Sequence, residues 1–123
     1  MTINTIGAER LTIEDFKFLQ QNKQLEAREA VARKIGFHFD SSEKESVEYC
    51  IACEIAFHLQ KDDEVMVRVA LAESVRKSEM APKPLILLLA MDDEDLVALP
   101  ILKQSPVITN DDLIDLVPKI NKT

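Results

Sequence analysis

The sequence predicts an all-α fold, an α-α superhelix of about three helix pairs followed by one terminal helix. Three observations point there. The stretch DDEVMVRVALAES, beginning at Asp62, is nearly rewritten thirty residues later as DDEDLVALPILKQS, beginning at Asp92. Apolar residues recur at three- and four-residue spacing through most of the chain. Two glycines and an aromatic fraction of 5% leave little material for hairpin turns and β-rich strands.

The elements follow in order. Thr12 before IEDF, with Asp15 three residues on, predicts an N-cap, and Phe16 and Leu19 share a face of a helix running to about residue 21. Over residues 24–35, QLEAREAVARKI places Leu25, Ala27, Val31, Ala32 and Ile35 on one stripe, with Gly36 placed to close the helix as a C′ residue. GFHFDSS then reads as a connector, and Ser42 with Glu45 as a capping box opening a third helix. That helix, with Val47, Tyr49, Ile51, Ile55, Phe57 and Leu59, is apolar nearly all round, which predicts burial between neighbours.

Lys61, Asp62 and Asp63 form a tight turn into EVMVRVALAESVRK, whose Val67, Ala70, Leu71 and Val75 face inward. Pro82 or Pro84 fits the first turn of a helix over LILLLA, where a missing N–H costs nothing. The next helix, EDLVALPILKQ, contains Pro100, which removes one backbone bond and predicts a kink. Ser105-Pro106 breaks the chain. Thr109 caps DDLIDLV, with Asp111 and Asp112 in the electropositive first turn, and Pro118 ends or distorts that helix.

At 123 residues, 46% hydrophobic and 30% charged, the chain fits one globular domain over residues 1–123. A formal charge of −7 disfavours nucleic acid or an anionic membrane as partner, since both reward clustered Lys and Arg. The opening MTINTIGAERLTIEDF has no basic segment followed by an apolar one, and the longest apolar run, Leu85 to Met91, is too short to cross a bilayer. Two cysteines three residues apart give no disulfide framework of the secreted kind. A cytoplasmic, reducing location is the expectation.

Aligned by their internal turns, Asn22, Asp62 and Asp92 each precede Ala27, Val67 and Val97 by five residues, and Arg28, Arg68 and Ala98 by six. Val31, Leu71 and Ile101 coincide, as do Ala32, Ala72 and Leu102. Such a recurring helix-turn-helix is the signature of an α-solenoid, with pairs near 12–35, 43–77 and 83–104 and a terminal helix near 110–117. A carboxylate at a helix N-terminus meets orphan amides and the dipole, and an Arg two turns on can reach a neighbouring turn, forming a charge-assisted ladder through Asn22, Asp62, Asp92, Arg28 and Arg68. Ala98 lacks the guanidinium needed to continue it.

These residues resemble HEAT repeats, whose pattern carries an Asp in the turn followed by a Val-Arg pair, here Asp62 with Val67-Arg68. Residues 63–117, through Ala70-Leu71-Ala72-Glu73, Pro82, Leu89-Ala90, Pro100, Ser105, Thr109 and Asp112-Leu113, are similar to a HEAT-like family of unknown function found in alphaproteobacteria. The resemblance implies an α-α superhelix and supplies no reaction, cofactor or catalytic residue. Members of that family tend to be longer, which points to a fragment or a minimal version.

The helix near 110–117 has no following partner. Leu113, Ile114, Leu116 and Val117 therefore either fold back on the preceding pair or leave a joining face for self-association or for a missing C-terminal region.

Chemistry-bearing groups are few. Cys50 and Cys53 have redox or zinc spacing, with His38 and His58 as further ligands, but they sit mid-helix beside Glu48 and Glu54, and His58 points away around the helix. Core packing is the simpler reading. The acidic runs at Asp92–Asp95 and Asp111-Asp112 lack the Gly and closing Glu of a calcium loop and suit capping. No triad surrounds His38. No cofactor is implied.

Arg28, Arg33, Arg68 and Arg76 lie on second helices and offer a surface for an acidic peptide or phosphate groups; an ordinary ion-paired face, diluted by Glu29 and Glu73, is the plainer explanation. The functional expectation is a non-enzymatic protein–protein interaction scaffold or adaptor. The alternative is a binder of nucleic acid or a phosphorylated ligand through the basic residues.

Overall fold

The computed structural model describes residues 12–21 and 24–120. Among them are seven helices and no strand: α1 (Ile13–Gln21), α2 (Leu25–Ser41), α3 (Val47–Gln60), α4 (Val65–Val75), α5 (Lys83–Ala90), α6 (Asp95–Gln104) and α7 (Asn110–Ile120). The fold is an all-α stack of helix pairs. Helices α2, α4 and α6 pack side by side in one layer, α1, α3 and α5 form the other, and α2 with α3, α3 with α4 and α5 with α6 join the layers.

One apolar core runs through the stack from Leu19 in α1 to Leu116 in α7, taking in Ile35, Ile55, Leu71, Leu85 and Ile101. Burying each such side chain contributes roughly 1.5–3 kcal/mol. The sequence supplies it at the inward positions of each helix. α3, apolar nearly all round, touches α1, α2, α4 and α5.

Helix starts show how local chemistry sets boundaries. Thr12 and Asp15 form a reciprocal capping box, the Thr12 N–H donating to Asp15 Oδ2 at 3.0 Å and the Asp15 N–H to Thr12 Oγ1 at 3.2 Å. Thr109 and Asp112 repeat it at α7, at 2.9 and 3.1 Å. Pro82 is the N-cap of α5 and Pro84 lies in its first turn. α6 runs on across Pro100 to Gln104, and α7 across Pro118 to Ile120, so Pro118 does not end its helix.

Gly36 does not close α2. The helix continues to Ser41 because Gly36 lies at its crossing with α4: a Cβ there would sit 2.0 Å from the Ser74 carbonyl oxygen, and the Gly36 N–H donates to Ser74 Oγ at 2.8 Å. Only a residue without a side chain lets the two backbones approach this closely. The extra turn buries His38 and Phe39 and brings Asp40 to Ser78, whose hydroxyl donates at 2.7 Å and accepts from the N–H groups of Met80 and Ala81. Residues 37–41 are thus helix rather than connector.

The Ser42–Glu45 capping box is likewise replaced. Ser42 is the C-cap of α2, and Ser46 caps α3 by accepting from the Tyr49 N–H at 3.1 Å. Glu45 stands between them with φ of 71°, a left-handed conformation that reverses the chain within the short link.

Candidate functional site

The two DDE turns have one geometry. In each, the Asp N–H donates at 3.1 Å to a carbonyl three residues back, Leu59 or Leu89, and Oδ1 accepts from the N–H two residues on, Glu64 or Glu94, at 2.9 Å. Each carboxylate then receives an arginine from the preceding helix of the α2, α4 and α6 layer. Arg28 Nε lies 2.7 Å from Asp62 Oδ2, and Arg68 Nε 2.9 Å from Asp92 Oδ2, with the second guanidinium nitrogen at 3.3 Å from Oδ1 in both. Arg68 also donates to the Asp62 carbonyl at 2.9 Å, which joins the rungs into one chain, Arg28–Asp62–Arg68–Asp92.

Bidentate pairing of this kind is strong because it is charge-assisted and partly shielded from water. The arginine side chains are 16% exposed and the aspartates 9% and 7%. Asp92 holds the Arg68 guanidinium further toward its charged form. α6 carries Ala98 at the position equivalent to Arg28 and Arg68, so the series of rungs stops at Asp92. Asn22 lies outside the described residues.

Of the four arginines considered for partner binding, Arg28 and Arg68 are therefore committed to this internal ladder. Arg33 stands outward and pairs with Glu29 at 2.8 Å along α2, while Arg76 bridges Glu73 at 3.2 Å and donates to Gln104 on α6. Open clefts of about 420 and 470 Å³ lie on either side of the Lys61–Glu64 turn, with Arg28 lining one and Arg68 the other. Asp62 lines both and Asp92 the second, and each of these carboxylates is already engaged by its arginine and by the N–H two residues on.

Cys50 is exposed and Cys53 half-buried. Burial, then the neighbouring Cys50 and Glu54, push the Cys53 thiol up to about 11, which disfavours the thiolate that redox or metal chemistry needs. Among the described residues no three His, Cys, Asp or Glu side chains converge as a metal site. His38 is buried, edge-on to Phe37, and His58 is edge-on to Phe16. The Tyr49 hydroxyl donates at 2.5 Å to the Met80 carbonyl and ties α3 to the α4–α5 link.

The open surface lies elsewhere, on the outward side of α4 and α6. Met66 is 52% exposed, Leu96 65% and Leu99 42%, and Val69 is half-buried. The matching turns set the register of the two helices at thirty residues, so Met66 corresponds to Leu96 and Val69 to Leu99. The equivalent α2 positions are Glu26 and Glu29, so the apolar character begins only at α4. The sequence carried this signal in the same alignment that revealed the repeat: both copies hold apolar residues where the inward stripe does not need them.

At the far end, Leu116 is buried and Leu113 half-buried, whereas Ile114 is 67% and Val117 52% exposed. Lys83 of α5 meets Asp112 at 2.8 Å. α7 thus folds back on the preceding pair with one part of its apolar surface and leaves the rest open. Among the described residues no helix is long and apolar enough to cross a membrane. Compared with models of known protein families, with curated proteins and with solved structures, the chain finds no match.

Proposed function

We propose that this chain is a non-enzymatic interaction scaffold of the HEAT-like kind, which holds a protein partner on the outward face of α4 and α6. One observation carries the reading: Met66 on α4 and Leu96 and Leu99 on α6 are exposed on two helices that pack against each other. Single surface hydrophobes need no explanation, but a contiguous patch rimmed by charge is the mark of a binding surface. Arg76 and Lys103 lie at the C-terminal ends of α4 and α6 and contribute a polar rim.

The test is capture from the source organism's lysate by wild type and by Met66→Glu/Leu96→Glu, with both confirmed as folded by circular dichroism. A protein retained by wild type is identified, purified and rebound. The reading requires that the variant bind it at least about tenfold more weakly, as expected when a charge is placed in a desolvated contact. Equal binding overturns it. Arg28 and Arg68 are poor probes of this surface, because reversing either charge breaks the internal ladder.

A further inference from the structure

We propose that the edge of the stack formed by α6 and α7 is a seat for a basic amphipathic helix of another protein, which packs there as the second helix of a pair begun by α7. This seat is separate from the outward face of α4 and α6, and the inference does not rest on the reading of that face.

The repeat shows which side of each second helix meets the next one. Gly36 of α2 meets Ser74 of α4, and Arg76 of α4 donates to Gln104 of α6. Gly36 and Arg76 hold one repeat position, forty residues apart, and Ser74 and Gln104 hold another, thirty apart. On α4, Val65, Val69, Ala72 and Arg76 follow at intervals of four, three and four residues, so they form one stripe, and Arg76 turns that stripe toward α6. Val65 and Val69 are half-buried and Ala72 is buried. The same stripe on α6 is Asp95, Leu99 and Leu102, and each is more open than its counterpart: Asp95 is exposed, Leu99 is 42% exposed and Leu102 is half-buried. Among the described residues no helix of the α2, α4 and α6 layer follows α6 to cover them.

α7 opens onto the same edge. It stands beside α5, whose Lys83 meets Asp112. α5 packs against both α3 and its own second helix, α6, whereas α7 has no second helix among the described residues. Leu116, Leu113, Val117 and Ile114 follow one another round α7 over about 160°. Exposure rises along that arc, from buried Leu116 through half-buried Leu113 to Val117 at 52% and Ile114 at 67%. The arc is thus covered on the side of the existing stack and bare on the other.

Charge names the occupant. At the inner joints Arg28 and Arg68 reach forward to an aspartate of the next turn. At this edge the sign is reversed, because Ala98 stands in place of those arginines and Asp95 stands where α4 has Val65. Asp95 lies one turn from Leu99, Asp111 lies one turn from Ile114, and both carboxylates are exposed, with Lys103 opposing them one turn past Leu99. A further repeat of the same kind would bring its aspartate to an edge that offers no arginine. A helix with Lys or Arg beside its apolar stripe meets the carboxylates instead. A second copy is disfavoured, since each chain carries −7.

The probe is a labelled, stapled helical peptide of 11 residues, the length of α4, with Leu at every third or fourth position and Lys at the others. A twin peptide carries Glu in place of Lys. In anisotropy titrations the full chain should bind the Lys peptide at least about tenfold more tightly than the Glu twin. Ile114→Asp/Val117→Asp should weaken the Lys peptide at least about tenfold. Mere attraction of a cationic peptide to an acidic chain would strengthen with that variant, which adds negative charge. Asp95→Lys, which leaves α7 untouched, should weaken the Lys peptide several-fold and strengthen the Glu twin. Met66→Glu/Leu96→Glu should bind as wild type, and circular dichroism checks that every variant is folded. No binding by wild type, equal affinity for the two peptides, or an Asp95→Lys variant that keeps the wild-type preference overturns the proposal. So does binding that survives Ile114→Asp/Val117→Asp and is lost in Met66→Glu/Leu96→Glu, which would move the peptide to the outward face.

Discussion

The Arg68 guanidinium is gripped from two repeats at once, by the Asp92 carboxylate ahead and the Asp62 carbonyl behind. Removing Asp92 leaves a partly shielded cation without its counter-charge and frees the Glu94 N–H that the carboxylate caps. Asp92→Ala is therefore expected to cost about 2–4 kcal/mol, and Arg68→Met a similar amount. The double variant, which removes both charges, should lose less than the sum, with a coupling of about 1–3 kcal/mol in a double-mutant cycle measured by urea unfolding. The Arg28–Asp62 pair has the same distances and should give a comparable coupling. Strict additivity would show that the rungs contribute nothing beyond their individual contacts. At this scale the sequence was informative about the Asp-to-Arg spacing but silent about occupancy. Each arginine finds its carboxylate 24 or 34 residues away, and a guanidinium engaged at that range looks, in sequence, like one available to a partner.

Element boundaries followed the local rules where the local chemistry was uncontested. Thr12 and Thr109 begin their helices with the boxes their spacing predicts. At Gly36 a tertiary demand overrode the local preference, because the close approach of Ser74 requires a missing side chain and the helix passes straight through. At Ser42 the later serine won, since the added turn of α2 consumes the earlier one as a C-cap. α7 shows how an element is fastened by few groups. Lys83, followed by the Thr109 N–H, holds the Asp112 carboxyl down at about 2, against an ordinary value of 3.8. Because the folded value is the lower one, the stabilisation is full above about pH 3.8 and disappears as pH falls toward about 2. The methyl resonances of Leu116 and Ile114 should report α7 loosening in that window, and Lys83→Met should move the midpoint upward. With Lys83 exposed, its removal should change overall stability little. An unchanged midpoint in the variant would show that Lys83 does not hold the helix.

Across the molecule, successive repeats are cross-linked at every step, by Gly36 on Ser74 and Asp40 on Ser78 between α2 and the α4 region, and by Arg68 on Asp92 and Arg76 on Gln104 toward α6. The repeat that announced this architecture was legible because both turn copies keep the same roles. The outward apolar face was legible only as spare apolar positions in that repeat, because its exposure depends on which side of α4 and α6 the neighbours leave uncovered. Repeat stacks gain stability from nearest-neighbour contacts, so a short one either unfolds as a unit or sheds its ends, depending on whether its core is continuous. Here the core runs unbroken from Leu19 to Leu116, and about three pairs is near the minimum that holds. Urea unfolding should therefore be a single transition, with the fluorescence of the lone Tyr49, in the absence of tryptophan, coinciding with the helical signal of the whole chain. Amide exchange should give α2 through α6 one common opening free energy, with α1 and α7 exchanging faster by local fraying. Two separated transitions, or α2 and α6 opening at distinct energies, would mean that the inter-repeat links are weaker than the pairs they join. The cross-links named above would then order the surface without coupling the repeats.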